Sequence, residues 1–167
     1  MGLHPDFRDF LGLLLSHRVR FVVVGAHALA AHGRPRITGD LDVFVEPSAA
    51  NARRVMAALT AFGVGAVGLS ARDFEASAGV VQLGTPPVRI DVLTGISGVR
   101  FSTAWKNRTV VRLDGLSLPI LGRRDFVRNK RAAGRPKDLL DVALLREGGP
   151  RRVKRRRPGR SARLPRS

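Results

Sequence analysis

The chain has 167 residues, 44% of them hydrophobic, which suits one domain with a substantial core. It has no Cys, which excludes disulfides and thiolate metal sites, and four His, too few to favour an imidazole-rich zinc site. The formal charge of +17 is concentrated: residues 150–167 hold nine of the 30 Lys and Arg and none of the 13 Asp and Glu, so a polyanion, RNA first, is the expected partner.

No stretch reads as a signal peptide or reaches the length of a membrane span, so a cytoplasmic, non-membrane protein is expected. His4 to His17 reads as an amphipathic helix, with Phe7, Phe10, Leu11, Leu14 and Leu15 near helical spacing and Pro5 at an early helical position. Val19 to Val24 reads as a strand that Gly25 ends, and Ala26 to Ala31 as a short helix of small residues. Small residues admit close approach of the backbone to a ligand, and the free N–H groups that open a helix favour phosphate above Gly25. The spacing is not that of a Walker A loop.

A basic loop, Arg34 to Gly39, leads to a second strand, Asp40 to Glu46. Side chains alternate along a strand, so Asp40 and Asp42 share one face while Leu41 and Val43 take the other. Pro47 stops the strand and Ser48 caps a helix reaching Phe62, striped by Val55, Met56, Leu59 and Phe62. Gly63 to Gly68 is a flexible return with room for a short strand, and Ser70 to Glu75 a helical turn. Val80 to Leu83 and the Asp91 strand flank a hairpin turn at Pro86-Pro87. A short helix is expected around Val99 to Ala104. The runs Arg108 to Leu113 and Leu116 to Leu121 read as strands joined by an Asp114-Gly115 hairpin turn. Helices follow from Gly122, burying Phe126 and Val127, and from Pro136, burying Leu139, Leu140, Val142, Ala143 and Leu144. This order predicts an α+β (α/β-like) fold, a mixed central sheet flanked by helices, over residues 1–147. Residues 148–167 read as a disordered basic tail, either a solvated tail or an electrostatic arm for RNA.

Asp40 and Asp42, with Asp91 on a neighbouring strand, would make an all-oxygen site for Mg2+, with two ions possible. Without a cation such a cluster would raise at least one carboxyl pKa. The alternative leaves them as strand-edge carboxylates facing solvent. Arg34, Arg36, Lys130, Arg135 and Lys137 are candidate triphosphate or RNA contacts, and Thr38 could position phosphate or cap the turn. Asp138 and Asp141 are expected to pair with Arg135 or Lys137. His27 and His32 are ambiguous: His27 could reach the site, but its first reading is structural.

Gly25-Ala26, a 13-residue spacer and then Asp40-Leu41-Asp42-Val43 resemble the signature of the polymerase-beta-like nucleotidyltransferase superfamily. The string Gly33-x-x-Arg36-x-Thr38-x-Asp40-x-Asp42 and the segment Lys130 to Asp141 are similar to its bacterial branch related to AbiEii and MenT-type toxins. The resemblance implies Asp40 and Asp42 as the metal pair, Asp91 as the third carboxylate, and Gly25 and Ala26 as the loop receiving the NTP phosphates. It adds Lys130 as a nucleotide contact. It implies Mg2+-dependent transfer of an NMP from an NTP to an acceptor hydroxyl, in toxin relatives often on tRNA, and an antitoxin protein as partner. Two departures stand out. Ala26 replaces a commoner Gly or Ser, and the chain leaves little room for a large acceptor-binding helical domain. The competing reading is therefore a catalytically inactive protein of the same fold that binds RNA or a protein partner.

Overall fold

The structure, a computed structural model, describes residues 2–34, 39–64 and 68–147. Among these, α1 (Pro5–Ser16), β1 (Phe21–Val24), α2 (Gly25–Ala31), β2 (Asp40–Val45) and α3 (Ala49–Phe62) come first. A 3₁₀ turn (Ala71–Phe74) precedes β3 (Val80–Thr85), β4 (Val88–Leu93), α4 (Phe101–Lys106), β5 (Thr109–Leu113) and β6 (Leu116–Ile120). The helices α5 (Arg123–Ala133) and α6 (Pro136–Glu147) follow. The strands form one mixed sheet in the order β3-β4-β2-β1-β6-β5. The β2–β4 and β1–β6 pairs are parallel and the other three antiparallel. This is the α+β, mixed-sheet architecture that the sequence predicts.

Local signals act as expected. Pro5 opens α1, and the His4 ring accepts a hydrogen bond from the Asp6 N–H. The Ser48 hydroxyl accepts from the Asn51 N–H and caps α3. Asn51 is fully buried and exchanges hydrogen bonds with the Arg20 backbone at 2.8 and 3.0 Å while donating to the Glu46 carbonyl, so it ties the start of α3 to the ends of β1 and β2. Buried and hydrogen-bonded, its amide avoids the penalty of an unsatisfied polar group. Asp114 and Gly115 both have positive φ, the conformation a two-residue hairpin between β5 and β6 requires.

The core lies on both faces of the sheet. Leu41, Val43 and Val45 of β2 are buried on one face. Helices α1 and α3 pack together through Phe10 and Phe62, whose rings meet edge to face at 5.3 Å. On the other face Phe44 meets Phe101 of α4 edge to face. Each fully buried Phe of this set contributes about 1.5–3 kcal/mol relative to exposure. Asp40 and Asp42 share the Phe44 face, so the apolar covering on that side stops two residues short of the carboxylates.

The structure corrects the expected packing of α6. Leu139 and Leu140 are 51% and 60% exposed, and Ala143 is exposed as well. Buried instead are Asp138, Asp141, Val142 and Leu145, spaced i, i+3, i+4, i+7 and hence on one helical face. The reason lies on α5. Lys130 is buried there, and the carboxylates of Asp138 and Asp141 supply its counter-charge. A buried ammonium without partners costs more than two exposed leucines, so the charged face turns inward. Val127, expected in the core, is half-buried against it.

The expected short strand near Gly63 to Gly68 falls partly on residues 65–67, and the basic tail on 148–167; both lie outside the described residues. Among the described residues no helix is long and apolar enough to cross a membrane.

Candidate active site

The register of β2 and β4 assembles the site. In this parallel pair Asp42 lies opposite Asp91 and Asp40 opposite Arg89. Partners across a ladder share a face, so four charged side chains form a square on one side of the sheet. Val24 of β1 and Gln82 of β3 extend the Asp42–Asp91 row in either direction. The row borders a cleft of about 460 Å³. Asn129 and Lys130 of α5, and Arg135, Lys137 and Asp138 at the start of α6, form its opposite wall.

Of the residues singled out in the sequence, Gly25, Ala26, Asp40, Asp42, Asp91, Lys130, Arg135 and Lys137 all line this cleft. Arg36 and Thr38 lie outside the described residues, and Arg34 is not among the lining residues. Gly25 has φ +65°, and a Cβ built on it would fall far inside contact distance of Asp42 Oδ2. Here glycine is required twice over, for the backbone conformation and for the approach of the carboxylate.

Burial, followed by repulsion from Asp91 and Asp40, pushes the Asp42 carboxyl up to about 6, and a hydrogen bond with Asp91 adds to the effect. Lys130 pulls the other way without offsetting it. Burial holds the His27 ring below its ordinary value against the opposing pull of Asp40. Among the described residues its Nδ1 is buried with no hydrogen-bond partner, and its ring packs edge to face on Phe7.

The structure adds residues the sequence reading passed over. Arg89 projects among the carboxylates. Its Nη2 donates to Asp40 Oδ2 at 3.0 Å and to Asp91 Oδ2 at 3.3 Å. Its Nε lies 3.1 Å from Asp91 Oδ1, yet among the described residues neither atom makes an aligned hydrogen bond. The signal was present: Arg89 and Asp91 are two apart on a strand, as Asp40 and Asp42 are, so all four had to share a face if the strands paired in this register. Lys130 Nζ donates to Asp138 Oδ1 at 3.1 Å and sits 3.4 Å from Asp141 Oδ2. Asp138 also accepts from Arg135 Nε at 2.7 Å. Burial would raise the Asp138 carboxyl, but hydrogen bonds from Arg135 and Lys130 outweigh it and hold the group below its ordinary value. Of the expected partners, Arg135 is confirmed for Asp138, while Lys130 rather than Lys137 faces Asp141.

The donor set fits a hard divalent cation in chemistry: three carboxylates, one with its pKa raised to about 6 and one with a buried oxygen that lacks a hydrogen bond among the described residues. It is not closed around one. Among the described residues no three acidic or imidazole side chains stand ready to hold an ion, and Arg89 bridges two of the three carboxylates.

No family model matches the chain, and no curated protein matches it in sequence. Solved structures do. A candidate nucleotidyltransferase from Thermotoga maritima superimposes with a TM-score of 0.54 at 17% identity, covering 84% of this chain and 88% of its own. The antibiotic-resistance factor ANT(2″)-Ia does so with a TM-score of 0.52 at 11% identity, covering 84% of this chain and 80% of its own. At such identities the likeness carries the architecture alone, and in architecture the chain is nucleotidyltransferase-like.

Proposed function

We propose that the chain is a nucleotidyltransferase that moves an NMP from an NTP to an acceptor hydroxyl. The observation that carries this reading is the register that sets Asp40 and Asp42 beside Asp91, under the Gly25 turn and across a cleft from Lys130. Asp40, Asp42 and Asp91 would hold Mg2+. When bound, the metal activates the attacking hydroxyl and neutralises charge on the leaving pyrophosphate. Gly25 and Ala26 leave space for phosphate to approach the backbone, and Lys137 and Arg135 add positive charge to the cleft wall. Lys130 reaches the same cleft from a buried ion pair that fixes where its ammonium sits. Residues 1–147 form the transferase domain, and the basic residues 148–167 add affinity for RNA. The similarity to AbiEii and MenT-type toxins, carried by sequence strings alone, extends the reading to tRNA as acceptor and an antitoxin as partner.

Incubation with each radiolabelled NTP, Mg2+ and total bacterial RNA tests the proposal. Label enters RNA with the wild-type chain and falls at least ~100-fold with the Asp40→Asn, Asp42→Asn double variant. The second reading, an inactive protein of this fold that binds RNA or a partner, is favoured by Arg89, which occupies the carboxylates. It prevails if no label enters RNA, protein or small molecules and Mg2+ does not strengthen NTP binding.

A further inference from the structure

Arg89 stands where the proposed chemistry has least use for it. Its guanidinium fork spans Asp40 and Asp91, carboxylates on two different strands. Charge–charge pairs of this kind are strong when the fork meets one carboxylate in line. Here Nε and Nη2 both face Asp91, and Nη2 is shared with Asp40. One nitrogen serves two carboxylates, and Nε faces Asp91 Oδ1 at 3.1 Å without hydrogen-bond alignment. The Arg89 side chain is 28% exposed and lines the open cleft, so it has a way out towards solvent.

Resting on the metal-site reading above, we infer that Arg89 is a built-in counter-cation that competes with the divalent ion for Asp40 and Asp91. A guanidinium and a dication sharing the same two carboxylates repel each other, so the arginine must leave before both carboxylates turn to a metal. The protein thus exists in an Arg-closed state, in which the carboxylates are neutralised internally, and a metal-competent state. Apparent metal affinity is the intrinsic affinity multiplied by the competent fraction.

The test is Mn2+ binding to the full chain without nucleotide, read from loss of the electron paramagnetic resonance signal of the free ion. Wild type, Arg89→Gln, Arg89→Lys, Lys137→Gln and Asp42→Asn are compared after circular dichroism establishes that each is folded. Arg89→Gln is expected to bind Mn2+ about 10-fold more tightly than wild type, following the rise in competent fraction. Arg89→Lys, which keeps the charge and loses the fork, is expected to fall between them, and it decides the matter by the same direction of change if Arg89→Gln does not fold. Lys137→Gln removes a cleft charge that does not bridge the carboxylates and is expected to shift affinity less than about 3-fold. Equal or weaker binding in the folded Arg89 variants, with binding lost in Asp42→Asn, overturns the inference and leaves the metal site standing. So does a Lys137→Gln gain as large as that of Arg89→Gln. Absence of Mn2+ binding in every variant overturns both the inference and the metal site.

Discussion

Asp42 shows how much the site costs the fold. Its carboxyl titrates at about 6 in the folded chain, against an ordinary 3.8, because burial and two neighbouring carboxylates disfavour its charge. The folded state therefore holds a proton that the unfolded chain has released between those values. Stability falls as pH rises through that window, and the penalty is complete above it. At about 1.4 kcal/mol per pH unit, the difference amounts to roughly 3 kcal/mol as an upper figure. Urea unfolding in a chelator should find Asp42→Asn more stable than wild type by about 1–3 kcal/mol at pH 8 and no more stable near pH 4. Parallel pH profiles for the two proteins would remove the electrostatic account of this residue. Asp138 acts with the opposite sign. Its hydrogen bonds to Arg135 and Lys130 hold it below 3.8, so its contribution is present above that value and lost in acid. One carboxylate of the cleft is held at a cost to folding and the other supports it.

The α5–α6 pair shows the same division at the scale of elements. Gly134 has φ +68° and ends α5, Pro136 opens α6, and the sharp turn between them brings Asp138 and Asp141 to Lys130. Removing one member of a buried ion group typically costs about 3–5 kcal/mol, since its partners stay buried. Lys130→Met should therefore lower stability by ~3 kcal/mol, whereas Leu140→Ser, on the exposed face, should change it by less than about 0.5 kcal/mol. Urea midpoints measure both. Equal effects would mean that α6 is held by its leucines after all, and any activity lost in Lys130 variants must be corrected for the fraction folded. The inverted face of α6 also marks where sequence reading stops. The four sheet-forming runs that border the cleft were legible because each is short, rich in β-branched or other apolar residues, and ends at Gly, Pro or a turn pair. The face of α6 was not, because apolar residues lie all round that helix and its orientation depends on a lysine one helix away. Asp40, Asp42 and Asp91 could be read from their spacing, since a strand fixes which face a residue takes. Arg89 obeyed the same rule, but its place between two strands depends on register, which follows from packing of the whole sheet.

At the scale of the whole molecule the dominant fact is charge. Affinity for a single RNA strand falls with salt at a slope of about −0.7 for each phosphate neutralised. Nine basic residues between 150 and 167, with no acidic residue among them, are the densest positive run in the chain. If about half engage phosphate, removing residues 148–167 should flatten the slope of log K against log salt by roughly 3, and weaken binding at low salt most. Filter binding of single-stranded RNA across a salt series, comparing the full chain with residues 1–147, reads both quantities. The shortened chain should keep its far-ultraviolet circular dichroism, because the sheet, its helices and the cleft residues described above all lie before position 148. An unchanged slope and affinity would assign RNA binding, if any is found, to the cationic wall of the cleft. A lost slope with unchanged Mn2+ binding would instead separate the molecule into two working parts: a carboxylate cleft that sets the chemistry and a basic segment that supplies reach. That separation follows from the physics of each part, since the cleft depends on register and burial while a charge run needs neither.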